Sequence, residues 1–344
     1  MRSTLAVKIA CRDAERARRE LVAAKALCGD LVPERSKKFV FFPVTKKICL
    51  NVPHSFERKR FKTRNRIRGF KELLAEFLSA RELAAVIKSF DVVGEIAVIQ
   101  VPQRLASKAK RIAQALLASN NRIKTVLQKT SGRQGDFRLQ RVRWLAGARR
   151  FTTIHKENNC LLRVDLRRTY YSPRLSTERA RVASLVKQNE RVLVPFAGVG
   201  PFVLPIARQG KAAEVVAIEL NPAAARLLKE NVCLNRASDR VRVIQGDAAR
   251  VMASREFRGW ADRIVMPLPH TARSFLPSAL KALKRGGTIH FYRIVLKTQG
   301  ATELEREARE ACAQAGKKFK KLGSRRVIVF SPSRAEFVLD FKVF

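Results

Sequence analysis

Three short apolar runs in the C-terminal half each end in residues able to hold a ligand. Val192-Leu193-Val194-Pro195 runs into Phe196-Ala197-Gly198-Val199-Gly200, Val215 to Ile218 ends in Glu219-Leu220, and Val241 to Ile244 leads to Gly246-Asp247-Ala248. Gly198 and Gly200 admit a ligand close to the backbone, where a side chain would block it. A carboxylate at Glu219 can accept both hydroxyls of a ribose, and Asp247 can reach the edge of an adenine. Together they outline an adenosine-shaped pocket. A dinucleotide fingerprint wants a third glycine three residues after the second, where this chain has Val203, so NAD or FAD fits less well. A phosphate-binding loop wants Gly-Lys-Ser/Thr at the turn, and none stands there. S-adenosylmethionine fits the acid-ended second run and the Gly-Asp third run best.

These residues need an open α/β sheet, which binds nucleoside ligands at the carboxyl ends of its strands. The fold expected for residues 176–344 is a Rossmann-like class I methyltransferase sheet. Two alternating runs, Arg326 to Phe330 and Glu336 to Val343, flank Ser331-Pro332-Ser333 and read as a C-terminal antiparallel hairpin. Two smaller α+β domains are expected before it. Residues 1–52 read as a strand (Leu5 to Ile9), a helix (Asp13 to Leu27) and strands at Phe39 to Pro43 and Ile48 to Val52. Residues 53–69 read as a basic linker with seven Lys or Arg and Phe61 interleaved, suited to phosphate contact. Residues 70–175 read as a central α+β domain with helices at Lys71 to Phe77 and Leu105 to Leu117. Its strands are expected within Phe90 to Val101 and at Thr125 to Leu127, Val142 to Leu145, Phe151 to His155 and Cys160 to Asp165.

The chain has 344 residues with 71 Lys and Arg against 29 Asp and Glu, a net charge of +42. Such self-repulsion is hard to reconcile with an enzyme of neutral substrates and points to a polyanionic partner, nucleic acid first. The charge is spread along folded segments rather than gathered in a tail. No apolar run approaches the ~20 residues of a membrane span, and no secretory leader precedes the first strand. A cytoplasmic protein without membrane attachment is expected. The six cysteines stand at no metal-ligand spacing and the four histidines are scattered, so no metal site is expected.

Longer motifs sharpen this picture. They include Ser89-Phe90-Asp91-Val92-Val93-Gly94-Glu95-Ile96-Ala97, Gly135-Asp136-Phe137-Arg138 and His155-Lys156-Glu157-Asn158 with Val164-Asp165. Others are Tyr170-Tyr171-Ser172-Pro173-Arg174-Leu175-Ser176-Thr177-Glu178-Arg179 and Gly287-Thr288-Ile289-His290-Phe291-Tyr292. With Phe196 to Phe202 and Glu219 to Pro222, the chain resembles, over essentially its whole length, the archaeal and eukaryotic tRNA (guanine-N1) methyltransferases that modify the purine 3′ of the anticodon, position 37. The resemblance implies a monomer acting on tRNA. It places Arg138, Tyr170 and Glu178 at the catalytic arginine, tyrosine and glutamate. It places Arg179, Glu219, Leu220, Asp247 and Ala248 at the methyl-donor contacts, and Phe196, Gly198, Gly200 and Pro267 complete the donor set.

The chemistry suits those roles. N1 of guanine carries a proton and cannot attack a methyl sulfonium until a base such as Glu178 removes it. Negative charge then moves to O6, where a guanidinium such as Arg138 can hold it. A base taken out of its stack can pack beside Tyr170. Read alone, Glu178 is equally an acid near a helix start, Arg138 a phosphate contact and Tyr170 a core residue. Two departures from the family pattern bear on the target. Pro267, in Val265-Met266-Pro267-Leu268-Pro269, stands where the family has asparagine, and Val194 where it often has aspartate. Two alternatives remain at this level: transfer of the 3-amino-3-carboxypropyl group of the same donor in wybutosine synthesis, and a tRNA-binding relative without catalysis.

Overall fold

The computed structural model describes residues 1–63, 68–86, 90–135, 137 and 139–344, with backbone alone at 133 and 134. Its two compact units are Met1–Gly69 and Phe70–Phe344. In the first, β1 (Arg2–Ala10), β2 (Glu34–Arg35), β3 (Phe39–Val44) and β4 (His54–Phe61) form an antiparallel sheet in the order β2-β3-β1-β4. Helix α1 (Ala14–Ala23) lays Ala17 and Leu21 against Val7, Ile9, Phe42 and Val44.

Three expectations for this unit are corrected. The first helix stops at Ala23 rather than near Leu27, because Lys25 takes a left-handed backbone (φ 50) and the Ala26 N–H turns back to the Leu21 carbonyl. Residues 48–52 are not a strand: the Asn51 N–H goes to the Glu20 carboxylate, although Leu50 and Val52 are buried. The supposed linker instead supplies β4, paired with β1 from Arg2↔Phe61 to Ile9↔His54. Its Phe61 is a core side chain, packed with Ala6, Leu31 and Phe41. Arg64, Asn65, Arg66 and Ile67 lie outside the described residues.

The second unit begins with α2 (Phe70–Ala75) and α3 (Ala80–Ala85), the latter started by a capping box between Ser79 and Glu82. A hairpin of β5 (Asp91–Val93) and β6 (Ile96–Ile99) follows; α4 (Ala109–Ser119) then crosses over to β7 (Thr125–Gln134), parallel to β6. β8 (Leu139–Gly147) returns antiparallel to β7. Next comes a separate hairpin of β9 (Thr152–Glu157) and β10 (Cys160–Asp165). Its two turn residues, Asn158 and Asn159, both have positive φ (47 and 60), the backbone of a type I′ turn.

The remaining elements are α5 (Ser176–Ser184), β11 (Arg191–Pro195), α6 (Val203–Arg208), β12 (Glu214–Glu219), α7 (Pro222–Leu234), β13 (Val241–Gln245) and α8 (Ala248–Ala253). They continue with β14 (Ala261–Met266), α9 (Leu276–Ala282), β15 (Leu283–Leu296), α10 (Gly300–Gln314), β16 (Phe319–Val329) and β17 (Arg334–Val343). β11 to β17 form one seven-stranded sheet in the order β13-β12-β11-β14-β15-β17-β16. The first five pair in parallel, and β17 is antiparallel to both β15 and β16. This is the Rossmann-like methyltransferase sheet with its C-terminal hairpin. Apolar cores cover both faces: Val192, Val194, Val215 and Ala217 on one side, Leu193, Val216, Ile218 and Ile264 on the other. The strand order reverses at β11, so the crevice beyond its carboxyl end is where such sheets hold ligands.

Candidate functional site

The turn after β11 is built around unusual backbone. Phe196 has φ 61, a conformation that costs a non-glycine residue free energy, and its ring packs edge-on against Phe275 at 4.7 Å. Gly198 follows with φ 58; a Cβ there would meet nothing nearer than the Tyr170 carbonyl, 4.0 Å away. Gly200 has φ 95, and a Cβ on it would lie 2.5 Å from Cδ1 of Leu228. Gly198 thus leaves open space for a ligand, whereas Gly200 lets α7 pack closely.

Glu219 ends β12 and closes this turn. Its Oε2 accepts the Gly198 N–H at 2.6 Å and its Oε1 the Asn221 N–H at 2.8 Å. Burial lifts its carboxyl above the usual range, although those N–H bonds pull the other way. The Leu220 N–H also acts on this carboxylate, which has about four acceptor positions in all. Leu220 is half exposed beside it, and Asn221 caps α7 through the Ala223 N–H. Asp247 is exposed and caps α8 by accepting the Ala249 N–H at 2.8 Å, with Ala248 buried behind it. Phe196, Gly198, Gly200, Glu219, Leu220, Asp247 and Ala248 therefore sit at the carboxyl ends of β11, β12 and β13, where an adenosine would need them.

Pro267 follows β14 in a tight loop. The Met266 carbonyl accepts the Leu268 N–H, the Leu268 carbonyl that of Ala272, and the Pro269 carbonyl that of Ile294. Arg293 donates to the His270 carbonyl and is held by both carboxylate oxygens of Glu307, at 2.9 and 3.0 Å. The loop is stiff, and much of its carbonyl capacity is already used within the chain.

Helix α5 presents neighbouring charged residues to the core. Glu178 is 3% exposed. It accepts from Nε and Nη2 of Arg181 at 2.9 and 2.7 Å and from the Tyr292 hydroxyl at 2.7 Å. Arg325 of β16 approaches it to 3.7 Å. Three donors on a carboxylate with about four acceptor positions leave one unfilled. Arg179 is equally buried. It bonds Glu157 at 2.7 Å and the Ser172 carbonyl at 2.8 Å, while its Nε has no partner among the described residues. Its guanidinium thus braces Tyr171 and Ser172. Burial raises the Glu157 carboxyl, but the His155 bond and the Arg179 charge outweigh it and hold it below the usual range. The Phe202 ring lies 5.9 Å from the Arg179 guanidinium and 5.8 Å from the Tyr292 ring, which joins α5 to the glycine turn.

Tyr170 lines an open cleft with Asp91, Lys129 and Gln140. Arg138 lies outside the described residues. Among the described residues no group of side chains could hold a metal, and no helix is long and apolar enough to cross a membrane.

Sequence reasoning missed the partners of these side chains. Arg181, Tyr292 and Arg325 surround Glu178, with Asp340 and His290 behind Arg181; only the Glu178-to-Arg181 spacing of three on a helix was a signal. It also missed Asn231 of α7 and Asn235, which caps the C-terminus of that helix. Their amides bond N–H and carbonyl groups of Arg163 and Leu161, satisfying the open edge of β10.

A family model described as TRM5/TYW2 methyltransferase domain matches residues 153–320, and one described as TYW2 N-terminal domain matches residues 70–150. Trm5b of Pyrococcus abyssi, a tRNA (guanine(37)-N(1))-methyltransferase, is 34% identical over 341 residues, with 99% of both chains covered. The chain belongs to the TRM5/TYW2 methyltransferase family. A tRNA(Phe) (4-demethylwyosine(37)-C(7)) aminocarboxypropyltransferase of Pyrococcus horikoshii is 32% identical, but its match covers 81% of this chain and 99% of that protein. Among solved structures, the complex of aTrm5 and tRNALeu superimposes with a TM-score of 0.76 at 28% identity, covering 98% and 99% of the two chains. Methanocaldococcus jannaschii Trm5 in complex with adenosine gives 0.67 at 28% identity, with the same coverage.

Proposed function

We infer that this chain methylates N1 of guanosine 37 in tRNA, with S-adenosylmethionine as donor. One observation carries this. The likeness to Trm5b runs through the first unit as well as the second, whereas the aminocarboxypropyltransferase leaves a fifth of this chain unmatched, the size of Met1–Gly69. The open space at Gly198, the Glu219 carboxylate and the unpartnered Nε of Arg179 fit an adenosine compound bearing a carboxylate.

The bound donor supplies an electrophilic methyl on sulfur. Everything else falls to side chains of this chain. Glu219 and Asp247 hold the nucleoside, and the stiff Pro267-Leu268-Pro269 loop walls one side. Glu178 takes the N1 proton through its remaining acceptor position, Arg138 holds the charge that moves to O6, and Tyr170 packs beside the extruded base. Residues 70–175 and the first unit hold the tRNA, and residues 176–344 hold the donor. The protein works as a monomer in the cytoplasm.

The test is to incubate unmodified tRNA with labelled donor, digest it and identify the nucleoside. Methylation at N1 of guanosine 37 is expected. The match to a TYW2 N-terminal domain favours a second reading, aminocarboxypropyl transfer, and a product carrying that much heavier group would establish it instead.

A further inference from the structure

Behind Glu178 a line of buried polar groups continues away from the glycine turn. Arg181 faces two carboxylates at once. Its Nε and Nη2 serve Glu178, and its Nη1 donates to Oδ2 of Asp340 at 2.7 Å. Oδ1 of Asp340 lies 2.6 Å from Nδ1 of His290, whose Nε2 lies 2.8 Å from Nη1 of Arg263. A guanidinium only donates, so Nε2 accepts and the ring proton sits on Nδ1, donated to Asp340. Arg263 is fixed in turn by Glu190, at 2.7 and 3.0 Å, and by the Leu185 carbonyl at 2.8 Å. His290 is 1% exposed and Arg263 4%. Burial lowers the His290 pKa, so the ring stays neutral and its tautomer is fixed.

We propose that Asp340 and His290 are positioning residues for the methyl transfer: they lock Arg181, and through it hold Glu178 in place as a usable base. The inference rests on Glu178 being the base. Helix α5 alone would let Arg181 rotate, because its long side chain is partly exposed. The contact from β17 fixes the guanidinium plane, and β15 fixes Asp340. Asp340 also balances charge. Glu178 faces Arg181 from its own helix, the Tyr292 hydroxyl from β15 and Arg325 from β16. Without Asp340 the Arg181 guanidinium has Glu178 as its one carboxylate partner among the described residues and is held from one side only.

Single-turnover methyl transfer to unmodified tRNA by the full chain tests this, with Asp340→Asn, Glu178→Gln and the double variant compared from pH 6 to 9. Asp340→Asn should slow the step about 10- to 100-fold at neutral pH, with donor and tRNA Kd unchanged. The deficit should shrink as pH rises, because guanine N1 then ionises with less help. The double variant should be no slower than Glu178→Gln, since Asp340 acts only through that carboxylate. His290→Gln keeps every charge and should fall between wild type and Asp340→Asn. It carries the same comparison, alone and with Glu178→Gln, should Asp340→Asn not fold. Wild-type rates in Asp340→Asn, or losses that multiply with Glu178→Gln, overturn the proposal. A fast Glu178→Gln enzyme overturns the base assignment itself, a separate outcome.

Discussion

Replacing Glu219 removes an acceptor that two backbone N–H groups share. Gly198 and Asn221 donate to its two oxygens at 2.6 and 2.8 Å, and both bonds are charge-assisted. Bonds of this kind contribute about 1.5–3 kcal/mol each. The site is half-buried, so water can reach both N–H groups in Glu219→Ala and recover much of that. The glycine turn and the start of α7 should then lose about 1–3 kcal/mol between them. If the carboxylate also holds the ribose, donor affinity falls by about 1.5–3 kcal/mol as well, roughly 10- to 150-fold. Glu219→Gln is the sharper variant. Its amide oxygen replaces one carboxylate oxygen, but its NH2 meets the second backbone N–H donor to donor. An isosteric glutamine should therefore bind the donor nearly as weakly as alanine does. Calorimetric titration of S-adenosylmethionine into the full chain measures this, with a thermal melt for stability. A glutamine variant with wild-type affinity and melting temperature would refute the reasoning, because neither the turn nor the ribose would then need two acceptors.

Gly200→Ala should destabilise the chain by about 2–4 kcal/mol in denaturant melts, since its Cβ would stand 2.5 Å from Leu228 Cδ1 on a backbone with φ 95. Binding to tRNA should weaken steeply with salt, log K falling by about 0.7–0.9 per phosphate neutralised. Filter binding should show a shallower slope when exposed Arg58, Arg60 and Lys62 become glutamine. Lys59 should leave it unchanged, because it sits 4.1 Å over the Phe41 ring and beside Glu34. Burial raises the Asp340 carboxyl, but the His290 bond and Arg181 outweigh it and hold it at about 2, below its ordinary 3.8. A lowered pKa contributes stability above the ordinary value that is lost as pH falls toward 2, about 2 kcal/mol here. Urea midpoints between pH 5 and 2 should fall less in Asp340→Asn than in wild type.

Elements that repeat one pattern over several residues were legible in the chain. The parallel strands β11 and β12 carry continuous apolar runs, β13 one broken only by Arg242, and their ends mark the donor pocket. β4 was hidden because only part of its length is apolar: His54 to Phe61 is mostly charged, and its place comes from pairing with β1. β16 starts seven residues earlier than its apolar stretch, at Phe319, since its Lys- and Arg-rich first half lies along a sheet edge and needs no second apolar face. The donor residues were legible because they are local, a glycine turn and two strand ends. The surroundings of Glu178 were not, because Tyr292 and Arg325 reach it, and Asp340 reaches its partner Arg181, from strands more than a hundred residues away.

Those surroundings bear on how a carboxylate bonded by three donors can serve as a base. General-base catalysis contributes about 10²–10⁴-fold. Orientation can contribute more: well-aligned intramolecular groups reach effective molarities of about 10⁵–10⁸ M. Holding Glu178 in a fork from Arg181 therefore fixes the direction of its remaining lone pair. Asp340 holds the other side of the Arg181 guanidinium, and neutral His290 steadies Asp340 without adding a charge of its own. Arg181→Ala leaves the carboxylate at position 178 with only Tyr292 and Arg325 to orient it, and should slow single-turnover methyl transfer while leaving donor and tRNA affinity unchanged; a wild-type rate would refute the role of the fork.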